Sequence, residues 1–464
     1  MVATHLIADW NPEDLGFWQQ RGSRVARRNL WLSIPALALA FAVWMLWSVV
    51  VVHLPAAGFR YSSNQLFWLA ALPALCGATL RIFYAFVVTA VGGRAWTAIS
   101  TATLLLPVLG IGWAVQRPDT PYELMVALAL LCGLGGGNFA SSMAHISDFY
   151  PRAQQGHALG INAGLGQLGV ALVQFVVPVV ITSSVFGGFG VFGIFGGAPQ
   201  IDAQGQPLWL QNAAYVWVPL IIASALAAWF GMDDIAEARP GFADQAVIFA
   251  RKHNWLMCWL TIGTFGSFIG FAAGLPLLMQ SQFPAMATFH WAWLGPLLGA
   301  VMLPLGGWLA DRYGGARVTF WSFVAMAVGV LAVMQCLPGV GSVGYFNGFL
   351  ASFGLLFVAA GLGNGSSLRM IPLIFLAERQ RAAKPEPEAQ AQALRDGNKE
   401  AAAVLGFASA LGAYGGFVIP KSYGSAIALT GSPEAALQVF FLFYLSCIAV
   451  TWWHYSRHKA PKPC

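Results

Sequence analysis

Charge is what this chain has least of. Asp, Glu, Lys and Arg make up 9% of its 464 residues, against 58% hydrophobic ones. A soluble fold could not hide that much apolar surface, so the composition describes an all-α polytopic membrane protein. Carboxylates are scarcest where they would matter most: no Asp or Glu lies in the middle of an apolar run. Paired cysteines are missing as well. Cys76, Cys132, Cys258, Cys336, Cys447 and Cys464 are scattered without paired spacing, which argues against a disulfide framework and against a metal site. No nucleophile and base set, metal cluster or cofactor motif stands out, so neither an enzyme nor a cofactor is expected. A cleavable leader is not expected either, because residues 1–29 are polar and amphipathic.

The basic residues are informative by position. The formal charge of +6 could suggest nucleic acid. The 24 Lys and Arg, however, fall mainly in segments that alternate to one side of a membrane. Only Arg60, Arg117 and Lys421 fall on the other side, and Arg81 and Arg369 lie within spans. That bias is the positive-inside pattern of a membrane protein with both termini in the cytoplasm.

Twelve apolar stretches, from 30–54 to 433–456, reach the roughly 20 residues that a span needs. The organisation expected is a cytoplasmic N-terminal segment (1–29), a six-span bundle (30–231), a charged cytoplasmic linker (232–253), a second six-span bundle (254–456) and a short cytoplasmic tail (457–464). Within the second bundle, the Ala, Glu, Gln and Pro-rich stretch 378–398 reads as a mobile cytoplasmic loop. Trp10, Phe17 and Trp18 beside Arg21, Arg24, Arg27 and Arg28 read either as a short interfacial helix or as a basic flank that only fixes orientation. The Gly-rich segment 186–209 reads as a re-entrant or capping loop.

One stretch organises the rest. Leu72–Thr97 carries Arg81 near the middle of an apolar run, where an arginine costs roughly 2.5 to 3.5 kcal/mol and normally faces inward or is paired. The stretch has a copy, Leu294–Thr319, aligned without a gap through Leu72/Leu294, Gly77/Gly299, Gly92/Gly314, Gly93/Gly315 and Thr97/Thr319. Opposite Arg81 stands Leu303. Glycines also recur: Gly133, Gly135 and Gly137 match Gly361, Gly363 and Gly365, while Gly160, Gly166 and Gly169 match Gly406, Gly412 and Gly415. Glycines one turn apart let helix backbones approach. Their presence in equivalent helices also suits a pathway at the interface of two pseudo-symmetric halves.

The loop of the copy, GGWLADRYGGAR, resembles the cytoplasmic loop motif of the major facilitator superfamily, with Gly307, Asp311, Arg312, Gly314 and Arg317 in register. Physically it is a charge network at a helix end, able to latch and release, or else a plain surface turn. A more specific resemblance comes from WNPEDLGFWQQRGSRVARRNLW, GGGNFASSMAHISDFYP, ALGINAGLGQLGVALVQ, TFGSFIGFAAG and AVLGFASALGAYGGFVIPK. These stretches, spread over both halves, are similar to those of the nitrate/nitrite porter (NarK-type) family. The resemblance implies a major facilitator fold of twelve transmembrane helices in two pseudo-symmetric six-helix bundles, with a substrate cavity between them. It also implies a secondary transporter of nitrate and/or nitrite in the inner membrane, working by alternating access without nucleic acid, as a monomer.

In that family two arginines, from the second and eighth spans, grip the planar anion between aromatic rings. By resemblance Arg81 is the first of these, Phe139 a cavity aromatic, and Gly406 and Ser409 the eleventh-span positions that the substrate approaches. The chain departs from the pattern at four places: Leu303 stands for the second arginine, Gln167 for an asparagine, Thr261 for a tyrosine and Leu368 for a phenylalanine. Losing an arginine removes a full charge and a five-donor fork.

A guanidinium suits nitrate or nitrite because its coplanar N–H groups meet two oxygens at once. Arg369 is a second intramembrane cation, read either as a replacement for the missing charge or as a residue that snorkels. His145 and His290 are the titratable groups open to proton coupling, or else ordinary packing histidines. With no carboxylate in the pathway, nitrate/nitrite antiport is favoured. Proton/nitrate symport and a diverged transporter or receptor for another small anion are the alternatives.

Overall fold

A computed structural model of the chain describes all residues except 1–4, 184–198, 202–204, 236–245, 285–287, 340–343 and 458–464. Most of the 186–209 segment therefore lies outside the described residues. Among the described residues, twelve helices are long and apolar enough to cross a membrane. In chain order, spans 1 to 12 are Leu15–His53, Ser63–Val91, Gly93–Ala114, Tyr122–Phe149, Arg152–Thr182, Asn212–Gly231, Lys252–Gln282, Leu294–Tyr313, Gly315–Cys336, Phe346–Ala382, Pro387–Thr430 and Glu434–Ser456. A helix satisfies its own backbone polar groups, which is what lipid demands. This is a multi-pass membrane protein.

Among the described residues, strand is confined to two short pairs. β1 (Leu6–Ile7) runs parallel to β4 (Asp234–Ile235), and β2 (Gln200–Ile201) runs antiparallel to β3 (Pro207–Leu208). The first pair joins the N-terminal segment to the chain just after span 6.

Contacts divide the chain into two compact units. The first comprises Met1–Arg239, Gly270–Leu297 and Gly416–Gly431, and the second Pro240–Ile269, Leu298–Gly415 and Ser432–Cys464. Spans 7 and 11 thus each contribute one half to either unit. Inside the first unit span 4 lies flush on span 2, since a Cβ on Gly133 would stand 2.5 Å from Cys76 Cβ. Inside the second unit span 10 lies on span 8 in the same way, a Cβ on Gly361 standing 2.3 Å from the Gly299 carbonyl oxygen. Gly133 and Gly361 are repeat partners, so the duplication in sequence is also a duplication of packing.

Two expectations are corrected. Trp10 and Trp18 face protein, not lipid headgroups: they are 6% and 9% exposed and pack with Ile7, Ala26 and Phe149. The Trp10 indole N–H donates to the Asp148 carbonyl at 3.1 Å, which supplies the acceptor a buried indole needs. Asp14 caps the helix that follows by accepting from the Gly16 and Phe17 N–H groups, so the helix that carries the first apolar run begins well before residue 30.

The second correction concerns 378–398, which is not a loop. Span 10 continues to Ala382 and span 11 starts at Pro387. Ala, Glu and Gln are strong helix formers, and Pro is tolerated at the first helical position. Glu400, only 8% exposed, fastens this hairpin in the second unit by accepting from Arg379 and, at 3.1 Å, from Arg251.

Candidate functional site

Span 2 starts on a capping box, in which Ser62 Oγ accepts the Gln65 N–H and the Gln65 side chain accepts the Ser62 N–H. Five turns on, it carries Arg81 into the interior, where the side chain is 1% exposed. Its Nε–H donates to the Gly136 carbonyl at 3.0 Å. The guanidinium carbon lies 4.8 Å from the Phe139 ring and 5.2 Å from the Trp44 ring.

Both rings are held in place. The Trp44 Nε1–H donates to the Pro73 carbonyl at 2.8 Å, and the helix of span 1 breaks just after Trp44, resuming at Trp47. Phe41 stacks edge-on against Phe139 with centroids 6.1 Å apart. Gly136 and Gly137 make the room. A Cβ on either would stand 2.6 Å from a ring atom, of Trp44 and of Tyr84 respectively. Cation–π contacts of this kind contribute on the order of 0.5 to 2 kcal/mol each, and burying a guanidinium costs several kcal/mol. The rings therefore orient the cation without neutralising it.

Gln167, the remaining predicted residue of the first unit, lies within span 5 and is 1% exposed. A polar seam that sequence reasoning missed joins Ser33 to Ser142 at 2.8 Å, and the Asn162 amide donates to Ser142 Oγ at the same distance. Trp44 was missed too. Its signal was a tryptophan inside an apolar run, away from the membrane interfaces such residues favour, needing an acceptor within the protein. His145 is fully buried against Phe149, with ring centroids 5.0 Å apart, whereas His290 sits exposed in the short helix Thr288–Trp291.

In the second unit, Thr261 is 3% exposed and donates to the Met257 carbonyl at 2.8 Å. It stands at the entry of a π-helical turn, Ile262–Gly266, of the kind that recurs at functional sites. Ser409 donates to the Gly406 carbonyl at 2.8 Å. Gly406 itself, like its repeat partner Gly160, has open space where a side chain would be. These two glycines are thereby distinct from the packing glycines of spans 4 and 10. Leu303 is 2% exposed, with its carbonyl under Gly365.

Arg369 does not join a buried site. Its side chain is 47% exposed and pairs with Asp311, itself 56% exposed. A guanidinium already facing a carboxylate at a helix end belongs to the loop motif, so it is no replacement for the missing eighth-span charge. In that motif Gly314 adopts φ +92°, a backbone that favours glycine. A Cβ on Gly307 would meet nothing nearer than the Gly365 carbonyl at 3.9 Å. Arg312 lies over the Trp308 and Tyr313 rings, and Arg317 is exposed.

The family model described as Major Facilitator Superfamily matches residues 32–420. The chain belongs to the major facilitator superfamily. This facilitator is 47% identical to the nitrate/nitrite transporter NarU of Escherichia coli (strain K12), across 98% of its own length and 97% of the relative. NarU of Salmonella typhimurium matches with the same identity and coverage. The probable nitrate/nitrite antiporter NarK2 of Thermus thermophilus is 38% identical over 99% of this chain and 98% of its own. The facilitator thus falls in the nitrate/nitrite porter family, as its motifs suggest.

Proposed function

We propose that this facilitator carries nitrate and nitrite across the inner membrane by alternating access, exchanging one anion for the other, with Arg81 as the anion's charged ligand. The observation that carries the reading is the buried Arg81 guanidinium flanked by Phe139 and Trp44. A guanidinium carries coplanar N–H donors, and two of them match two oxygens of a planar nitrate. A buried cation is better satisfied with an anion bound than without one, so a return step with a second anion aboard is favoured over an empty return. The names of the relatives agree with this cargo. Gln167, Thr261, Gly406 and Ser409 are the further residues proposed to meet the anion. The arginine-rich side, with the N-terminal segment, is proposed to be cytoplasmic. One copy supplies every residue used here, so the monomer is the proposed working unit.

Counterflow in proteoliposomes loaded with nitrate, nitrite, chloride or formate tests the proposal. Nitrate and nitrite are expected to exchange, and Arg81→Lys to cut the rate about tenfold or more, since losing one charge-assisted hydrogen bond costs about 1.5 to 3 kcal/mol. Full activity in Arg81→Lys would remove Arg81 from the site. Uptake driven by a pH jump into anion-free vesicles would replace exchange with proton symport.

A further inference from the structure

The half of span 11 that belongs to the first unit, Gly416–Gly431, packs on the start of span 2 through two faces of matching helical spacing. Asn64, Phe67 and Trp68 line one, and Lys421, Gly424 and Ser425 line the other, each set spaced i, i+3, i+4. Gly424 leaves no gap, since a Cβ there would stand 2.7 Å from Phe67 Cβ. Phe417 adds to the contact by packing on Trp68, with centroids 5.7 Å apart.

Into this seam goes an ammonium group. Lys421 Nζ donates to Asn64 Oδ1 at 3.0 Å and to Ser425 Oγ at 2.9 Å, and lies 4.7 Å from the Trp68 ring centroid. All of these partners are neutral. Elsewhere Arg28 faces Asp233, Arg94 faces Asp234, Arg251 and Arg379 face Glu400, and Arg369 faces Asp311. Among the described residues Lys421 has no carboxylate opposite it. An amide oxygen, a hydroxyl and a ring hold a cation in place without cancelling its charge. Such a contact closes two helices on each other, and its cation keeps its potential when they part.

We propose that Lys421 latches the outward end of the pathway when it is shut, and becomes a capture cation for an entering nitrate or nitrite when span 11 parts from span 2. This rests on the transporter reading above. Right-side-out and inside-out membrane vesicles carrying the full chain give the KM for nitrate from each side. Lys421→Gln keeps an N–H donor for Asn64 and Ser425 but removes the charge. It is expected to raise the outward KM about tenfold and leave the inward KM within about twofold. Lys421→Arg is expected to stay within about threefold on both sides. Asn64→Leu keeps the cation and removes its partner. It is expected to leave the outward KM near that of the native chain while speeding amide hydrogen exchange at the start of span 2 and the end of span 11 about tenfold, with no anion present. An outward KM unmoved by Lys421→Gln, or a rise equal on both sides, overturns the capture role. Exchange unmoved by Asn64→Leu overturns the latch. If the native chain itself moves neither anion, the transport reading fails and takes the capture role with it, while hydrogen exchange still decides the latch.

Discussion

The two copies of one helix and turn, Leu72–Thr97 and Leu294–Thr319, differ in charge where they agree in backbone. Gly92 and Gly314 close the two turns at φ +89° and +92°. Arg81 and Leu303 occupy the same position and are 1% and 2% exposed, so the site is interior in both units and only its chemistry differs. The acids differ as well. The second copy carries its own, Asp311, where the first has Thr89. The first copy is served instead by Asp234, from the strand after span 6, which accepts the Arg94 backbone N–H at 2.9 Å and lies 3.9 Å from its guanidinium. Packing is set by glycine spacing and is hard to change one residue at a time. The two acids also hold different partners, Asp234 the Arg94 backbone N–H at the start of span 3 and Asp311 the Arg369 side chain of span 10.

The largest expected effect on this comparison comes from Leu303→Arg. A second interior guanidinium is expected to destabilise the protein by roughly 2.5 to 3.5 kcal/mol without anion, and added nitrate is expected to restore part of the loss. Thermal unfolding with and without nitrate reads both, and an unaltered midpoint would mean that the two positions are not equivalent environments.

Next come the paired substitutions Gly93→Ala and Gly315→Ala. A Cβ on Gly93 would stand 1.7 Å from His145 Nδ1, a buried ring, while one on Gly315 would stand 2.6 Å from Met370 Cγ, on a chain that can bend away. About 1 to 3 kcal/mol is expected for the first and under about 1 for the second, measured by denaturant unfolding. Equal losses would sink the distinction.

The smallest effects are those of the acids. The Arg94–Asp234 pair is 20% and 15% exposed, against about half for Arg369 and Asp311. Asp234→Asn is therefore expected to cost about 1 kcal/mol and Asp311→Asn less than about 0.5. The reverse order in the same unfolding assay would place the more important latch in the second unit.

Much of the fold was legible because lipid leaves so few options: apolar length and glycine spacing give the spans and their duplication. The central guanidinium was legible for the same reason, since an arginine amid apolar residues has to go inward. What could not be read depends on contacts between distant parts of the chain. Nothing local to Arg369 reveals that Asp311 faces it, and nothing local to Trp44 reveals that Pro73 accepts its N–H. Composition misled at 378–398, where residues common in disordered segments are also good helix formers. Glu400, meeting two arginines, is part of what settles that hairpin.

Asp233 and Asp234 are neighbours, yet they fasten different elements. Asp233 takes Arg28 and Asn29 in the first half of span 1, and Asp234 takes the turn between spans 2 and 3. Arg28 and Asp233 are 205 residues apart, and β1 also has β4 as its partner. The contacts of Arg28, Asn29 and β1 with the chain after span 6 therefore form only once span 6 has been made. The N-terminal segment is thus fastened in two stages, to the end of span 4 through Trp10 and then to the chain after span 6 through Asp233.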